Sequence, residues 1–220
     1  MAYGLVPVKD MSKAKERLSP VLSIGERTAL AFAMLEDVLG ALKSSRHIER
    51  LFIITLDESA VELANSMDIE VIREKTQESE SGSVDYGSSI CKESGAESVL
   101  VIPGDAPLIT AEDVDFILEQ EKPFPSIILV PARDELGTNA ILRRPPEIIP
   151  SRFGYDSFRK HISEADKIDI PYYTYNLPRV ALDIDEPRDL ALFAFKESDT
   201  KTYRELVKIG VIQKVSKIIN

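Results

Sequence analysis

Tryptophan is missing from the chain, cysteine occurs once and histidine twice. A single cysteine permits no internal disulfide, so the fold must rest on its apolar core. A chain of 220 residues buries about 70% of its unfolded surface, which needs neither a disulfide nor a metal to hold it. Cys91 falls in a segment of helical pattern and reads as a buried, inert thiol rather than a nucleophile. His47 reads as a surface loop residue, and His161 as a helix residue that supports other groups. Neither GxxxxGK[ST] nor GxGxxG occurs, which excludes a P-loop enzyme and the glycine-fingerprint dinucleotide binders. No apolar run approaches the roughly 20 residues that span a bilayer, and residues 1–30 hold no apolar signal core, so a soluble, cytoplasmic protein is expected. Basic charge is also short. The 27 Lys and Arg against 37 Asp and Glu leave a net charge of −10, which argues against general nucleic-acid binding.

What the chain does have is a buried-strand pattern that ends on a carboxylate. Val99-Leu100-Val101-Ile102 is a continuous apolar run, the pattern of a parallel strand covered on both faces. Pro103 and Gly104 stop it, and Asp105 follows. Ligands of open α/β sheets bind beyond the carboxyl ends of the strands, which places Asp105 where chemistry would occur. The plainer alternative is an Asp that caps a turn.

Along the chain, residues 3–8 read as a first strand. Ser23-Ile24-Gly25-Glu26 has capping-box spacing, followed by a helical stripe of Leu30, Met34, Leu35, Val38 and Leu42. Strands follow at 51–55 and 70–73 with a short helix at 59–66 between them, then a polar, mobile loop at 74–85 and a helix from about 84 to 94. Thr110 opens a helix with a box-like cap that runs to about 121. This alternation predicts right-handed crossovers and a mostly parallel sheet. Beyond Pro125 the rhythm changes. Strands at 127–130, 140–143, 172–175 and 180–184 predict antiparallel additions and so a mixed sheet. Helices are expected near 156–165, from 187 to about 196 with Asp185 as cap, and at 201–209. The whole chain 1–220 reads as one domain with a helical extension and tail over 197–220. The tail 211–220 is expected to pack on the body or on a second subunit.

Two charged clusters bear on function. Lys9, Lys13, Lys15 and Arg17 stand against only Asp10 and Glu16 directly after the first strand, a locally positive loop suited to a phosphorylated small molecule. Such runs are more often solvated surface. Asp183 and Asp185 sit at i and i+2. On a strand they share one face about 6.5 to 7 Å apart, and like charges there call for a cation such as Mg²⁺. Alternatively they are a strand end and a helix cap. If Asp105, Asp183 and Asp185 share a metal, exchanging any one for asparagine is expected to leave stability unchanged or slightly raised.

Leu5-Val6-Pro7-Val8-Lys9, Ala14-Lys15-x-Arg17-Leu18-Ser19, Pro103-x-Asp105-x-Pro107-Leu108, Gly137-Thr138-Asn139, Phe153-Gly154-x-x-Ser157-Phe158 and Leu182-Asp183-Ile184-Asp185-x-Pro187-x-Asp189-Leu190 occur in that order. This set resembles the 2-phospho-L-lactate guanylyltransferase family, which makes a precursor of the deazaflavin coenzyme F-420. The resemblance spans about residues 3–195. It implies an α/β nucleotidyltransferase fold like that of sugar-nucleotide pyrophosphorylases, a homodimer, and metal-dependent condensation of GTP with 2-phospholactate. Relatives also use phosphoenolpyruvate or 3-phosphoglycerate. It further implies Mg²⁺ on Asp105, Asp183 and Asp185, catalytic roles for Lys9, Lys15, Arg17 and Asp105, and substrate contacts from Lys13, Gly87, Thr138, Asn139, Gly154 and Ser157. Two stretches depart from the family pattern: Glu16 stands within the basic loop, and Asp85-Tyr86-Gly87-Ser88-Ser89 stands where the family tends to read Gly-Leu-Asn after an Asp-x-Gly. The residues alone also allow a metal-dependent glycosyltransferase or a non-catalytic nucleotide-binding module.

Overall fold

The computed structural model describes residues 1–74, 76 and 79–211. Among the described residues, seven strands form one sheet: β1 (Ala2–Pro7), β2 (Ile48–Thr55), β3 (Glu70–Arg73), β4 (Ser98–Val101), β5 (Ser126–Pro131), β6 (Thr138–Arg144) and β7 (Tyr172–Thr174). Their order is β3-β2-β1-β4-β6-β5-β7. β6 alone runs against its neighbours, while β7 pairs parallel with β5. The sheet is therefore mixed, as expected, but with one reversed strand rather than two or three.

The helices are α1 (Ile24–Lys43), α2 (Glu58–Ser66), α3 (Glu80–Glu93), α4 (Ala111–Glu119), α5 (Ser157–Lys167), α6 (Pro187–Ala194) and α7 (Lys201–Lys208). They cover both faces. Val6, Ile53 and Leu100 pack with α1, α4 and α6, while Leu5, Phe52, Ile54, Val99 and Val101 pack on the other side with α3 and α5. Alternate residues of one strand thus enter different cores, which is why these strands are apolar without interruption. The capping boxes at Ser23/Glu26 and Thr110/Asp113 both form. The C-terminal extension is part of the body up to residue 211: the Thr202 amide and hydroxyl both donate to Asp37 of α1, at 2.8 and 2.6 Å. Residues 212–220 of the expected tail lie outside the described residues.

Three expectations need correction. α3 begins at Glu80 rather than near Val84, because Ser79 caps it by accepting from the Gly82 amide at 3.0 Å. The cap, and burial of Ser83, Val84 and Gly87, override the weak helix propensity of serine and glycine. The 180–184 segment is not a strand. Its alternation buries Val180, Leu182 and Ile184, but its backbone is held by single contacts: the Arg133 amide donates to Ala181 O, and the Ile184 amide donates to Asp105 O. Asp185 does not cap α6. Glu186 is the cap residue, with Asp189 accepting from its amide at 3.0 Å and Pro187 in the first turn.

Gly87 faces the sheet. A Cβ there would approach Leu5 Cδ2 to 2.9 Å and Ile54 Cδ1 to 3.2 Å. Gly87→Ala is expected to cost about 1–3 kcal/mol by overpacking, with kinetics per folded molecule unchanged. A denaturant melt beside active-site-normalised rates checks this.

Candidate active site

β1 leads to β2 and β3 on one side and is bordered by β4 on the other, so the chain order reverses between β1 and β4. That gap at the carboxyl ends of the strands is where a crevice opens in such sheets. The loop after β1 brings Lys9–Arg17 to it, and the turn after β4 brings Asp105. Antiparallel β6 begins at the same edge, which delivers Thr138 and Asn139. The extended 180–186 segment crosses the edge and adds Asp183 and Asp185, fixed through the Ile184–Asp105 backbone bond of 3.0 Å.

At the centre lies Lys15. Its side chain is 10% exposed, and Nζ is 2.9 Å from Asp105 Oδ2 and 2.9 Å from Asp185 Oδ1. Its backbone is left-handed (φ 54°, ψ 43°), a conformation that lysine keeps only where its surroundings fix it; the two ion pairs do so. Burial disfavours the ammonium, but the charges of Asp105 and Asp185 outweigh it and hold the Lys15 pKa above its ordinary value. Burial also opposes ionisation of Asp185, yet Lys15 and Arg17 keep its pKa below the usual range. Asp183 goes the other way: burial first, then the charge of Asp105, push its pKa up. Asn139 Nδ2 donates to Asp183 Oδ1 at 3.1 Å and to Val180 O at 3.0 Å. Asn139 thus orients Asp183 with its amide group.

The other basic residues of the loop are exposed and paired with acids. Lys9 meets Glu80 at 3.2 Å, Lys13 meets Asp10 at 3.2 Å, and Arg17 is 3.4 Å from both Asp185 and Glu186. Burial raises the Glu80 pKa against the pull of Lys9.

Two cavities meet at the carboxylates. One, of about 620 Å³, is lined by Lys9, Lys13 and Lys15 on one side and by Met34 and Leu35 of α1 on the other. The second, of about 420 Å³, is lined by Thr138, Gly154, Ser157 and Asp183, with Arg133 and Arg188. Asp105, Asp185 and Glu80 line both. Gly154 has φ +104°, which favours glycine. Thr138 and Ser157 are buried, with the Ser157 hydroxyl donating to Thr138 Oγ1 at 3.3 Å.

The structure therefore gathers Lys9, Lys13, Lys15, Arg17, Asp105, Thr138, Asn139, Gly154, Ser157, Asp183 and Asp185 at one edge. It leaves Gly87 out, on the sheet-facing side of α3. The surrounding departure from the family pattern is bound to the core instead: fully buried Arg143 donates to Asp85 at 3.2 Å and to Ser88 at 2.6 Å, and to Ile149 O and Ser151 Oγ at 3.0 and 3.1 Å. It thereby braces the loop that leads to Gly154. Sequence reasoning missed Glu80, Arg133 and Arg188. Glu80 was hidden in a segment read as loop, while the Pro187 helix start that precedes Arg188 was visible.

Two cavities that share carboxylates at the switch point of such a sheet offer room for two ligands side by side. Comparison with known proteins defines the class. The profile described as "Guanylyl transferase CofC like" matches residues 3–218, and the chain belongs to that guanylyltransferase family. Among its relatives is a 2-phospho-L-lactate guanylyltransferase of Methanothermobacter thermautotrophicus, 32% identical over 97% of this chain and 93% of that one. A phosphoenolpyruvate guanylyltransferase of Conexibacter woesei is 33% identical over 86% and 85%. A 3-phospho-D-glycerate guanylyltransferase of Colwellia psychrerythraea is 34% identical over 88% and 91%. The fold resembles a solved chain from Desulfovibrio desulfuricans described as a nucleotide-diphospho-sugar transferase, with TM-score 0.75 at 18% identity over 96% and 95%. It also resembles a nucleotidyl transferase from Methanothermobacter, with TM-score 0.63 at 14% identity over 88% and 95%.

Proposed function

We propose that this guanylyltransferase condenses GTP with a phosphorylated small carboxylic acid, 2-phospholactate first, giving lactyl-2-diphospho-5'-guanosine and pyrophosphate. Phosphoenolpyruvate and 3-phosphoglycerate are the alternative acceptors, in line with the names of its relatives. The observation that carries the reading is the pair of cavities joined at Asp105 and Asp185. The cavity with the basic loop suits the triphosphate and the apolar α1 wall suits a base. The cavity with Thr138, Gly154 and Ser157 suits the acceptor, because hydroxyls and an unhindered glycine amide are neutral anion donors.

An acceptor phosphate is largely dianionic at neutral pH, its second pKa being about 6. One of its oxygens attacks the α-phosphorus, the bond to the β-bridging oxygen breaks, and pyrophosphate leaves with that electron pair. No proton need be moved, so catalysis rests on alignment and charge stabilisation. Lys15, Lys9, Lys13 and Arg17 offset the triphosphate. To do so the exposed cations must exchange their present acidic partners for phosphate oxygens.

Mg²⁺ belongs to the proposal. Hard carboxylate oxygens suit it, and the raised pKa of Asp183 beside Asp105 marks a cluster short of positive charge. Among the described residues no three acids, histidines or cysteines are arranged to hold an ion; the Lys15 ammonium stands between two of the carboxylates. Asp105, Asp183 and Asp185 would hold the metal once that ammonium turns to a phosphate, and the metal would screen the acceptor from the triphosphate. The homodimer rests on the family resemblance, and a cytoplasmic location on where such charged metabolites are made. Among the described residues no helix is long and apolar enough to cross a membrane.

Pyrophosphate release with four nucleotides and three acids tests the proposal: turnover is expected only when GTP and an acid are both present. Ser157→Ala and Thr138→Val are expected to raise the KM for the acid while GTP affinity stays near its wild-type value. A matching loss of GTP affinity would mean the two cavities are assigned the wrong way round.

A further inference from the structure

His161 is fully buried on α5, outside the groups that touch either cavity. Its Nε2 lies 2.9 Å from the backbone nitrogen of Arg152, and its Nδ1 lies 3.0 Å from Thr138 Oγ1. A backbone amide only donates, so Nε2 must be the acceptor. That excludes the imidazolium, and it places the proton of the neutral ring on Nδ1. Nδ1–H therefore donates to Thr138 Oγ1. The Ser157 hydroxyl donates to the same oxygen at 3.3 Å. A hydroxyl accepts two hydrogen bonds and donates one. With both acceptor positions taken, the Thr138 proton has one direction left, into the cavity it shares with Gly154 and Ser157.

We propose that His161 is a positioning residue that fixes the Thr138 hydroxyl as a hydrogen-bond donor to the acceptor's anionic group. The inference rests on the acceptor assignment above. Without the imidazole, the Thr138 proton can turn to Ser157 and present lone pairs to an incoming anion, which repel it. The ring is held for this task by an edge contact with Phe153, 5.2 Å between centroids. Its neutrality has independent support. Burial, followed by the charge of nearby Arg143, pulls the pKa down to about 4, with Asp85 and Glu164 opposing and Arg152 adding to the fall.

The two ends of the ring are separable by substitution. In His161→Gln the side-chain amide reaches the Nε2 position and still accepts from Arg152, but no donor stands at Nδ1. In His161→Asn the amide nitrogen reaches the Nδ1 position and restores a donor to Thr138. His161→Gln is expected to raise the KM for the phosphorylated acid about tenfold, with the GTP KM and kcat changed less than about twofold, the worth of one neutral hydrogen bond. His161→Asn is expected to return most of that loss, and His161→Gln to add nothing in a Thr138→Val background. Equal KM in wild type and His161→Gln, equal loss in both variants, or a parallel rise in the GTP KM would overturn the proposal. The tautomer is readable in the unaltered protein, whether or not a variant folds. With ¹⁵N-histidine labelling, two-bond ¹H–¹⁵N spectra should show one of the two histidines as the neutral Nδ1–H form from pH 5.5 to 8 (a range spanning the ordinary histidine pKa of about 6.5). Spectra in which neither histidine holds the neutral Nδ1–H form across that range would end the proposal. If wild type releases pyrophosphate with none of the acids, the acceptor assignment fails while the tautomer result still stands or falls by itself.

Discussion

Asp183→Asn is expected to cut turnover by roughly a hundredfold or more, the scale of losing a preorganised charge at a reacting centre, while the melting temperature holds or rises. Burial and the charge of Asp105 disfavour the ionised Asp183 side chain, so the native protein bears a cost for this carboxylate that asparagine does not. The amide keeps an oxygen to accept from Asn139, and the shape is nearly unchanged. Asp105→Asn and Asp185→Asn should differ in stability. Each loses a carboxylate held 2.9 Å from the buried Lys15 ammonium, so each should melt earlier as well as turn over slowly. The sequence alone gave all three carboxylates the same stability sign. Lys15 is what separates them, since two of the three already have a cation. Thermal melts without metal, run beside pyrophosphate release, check the pattern. An Asp183→Asn protein that melts early and still turns over would mean this carboxylate is structural.

Lys15→Ala should be the most damaging change in the basic loop. It removes a buried cation from between two acids, which costs about 3 kcal/mol for a buried pair. The figure falls toward the lower side because Asp185 is 43% exposed and partly screened. GTP affinity should fall by a further 1.5–3 kcal/mol, roughly the range for a hydrogen bond between charged groups. Arg17 is 69% exposed with contacts of 3.4 Å, so Arg17→Ala should cost GTP binding about 1 kcal/mol or less. Calorimetric titration with GTP and melts with and without Mg²⁺ check this. Added Mg²⁺ should raise the melting temperature of Lys15→Ala more than that of wild type, because a metal held by the carboxylates, as proposed, would supply the charge that the substitution removes. Unchanged GTP affinity in both variants would put the loop back on the solvated surface, and equal losses would mean that burial does not rank the two cations.

The sheet was legible where both faces of a strand are covered, since burial on both sides demands an unbroken apolar run. Phe52-Ile53-Ile54 and Val99-Leu100-Val101 meet that demand. Helix starts were legible at Ser23 and Thr110, because a capping box is a local contact written into four residues. Asp185 was harder. Asp and Glu in sequence before a proline leave two candidate caps, and the one not used, Asp185, is free for Lys15 and Arg17. The 180–184 segment shows the limit of alternation: it reports which side chains are buried, and it is silent on whether a neighbouring strand is there to pair with. The motif residues converge because antiparallel β6 starts where β1 and β4 end, a fact of topology that no local pattern contains. The His161–Thr138–Ser157 chain was out of reach for the same reason. Gly87 was misplaced because its close approach to Leu5 is a tertiary contact.

The central claim is that a phosphate oxygen of the acid, and not water or a sugar hydroxyl, receives the guanylyl group. ³¹P spectroscopy of wild-type protein with GTP, Mg²⁺ and each phosphorylated acid reads this directly. A new pair of mutually coupled diphosphate resonances should grow in equal amount with pyrophosphate, only when an acid is present, and the acid's phosphate monoester signal should fall by the same amount. Pyrophosphate with free GMP, or GTP left intact with every acid, would contradict it.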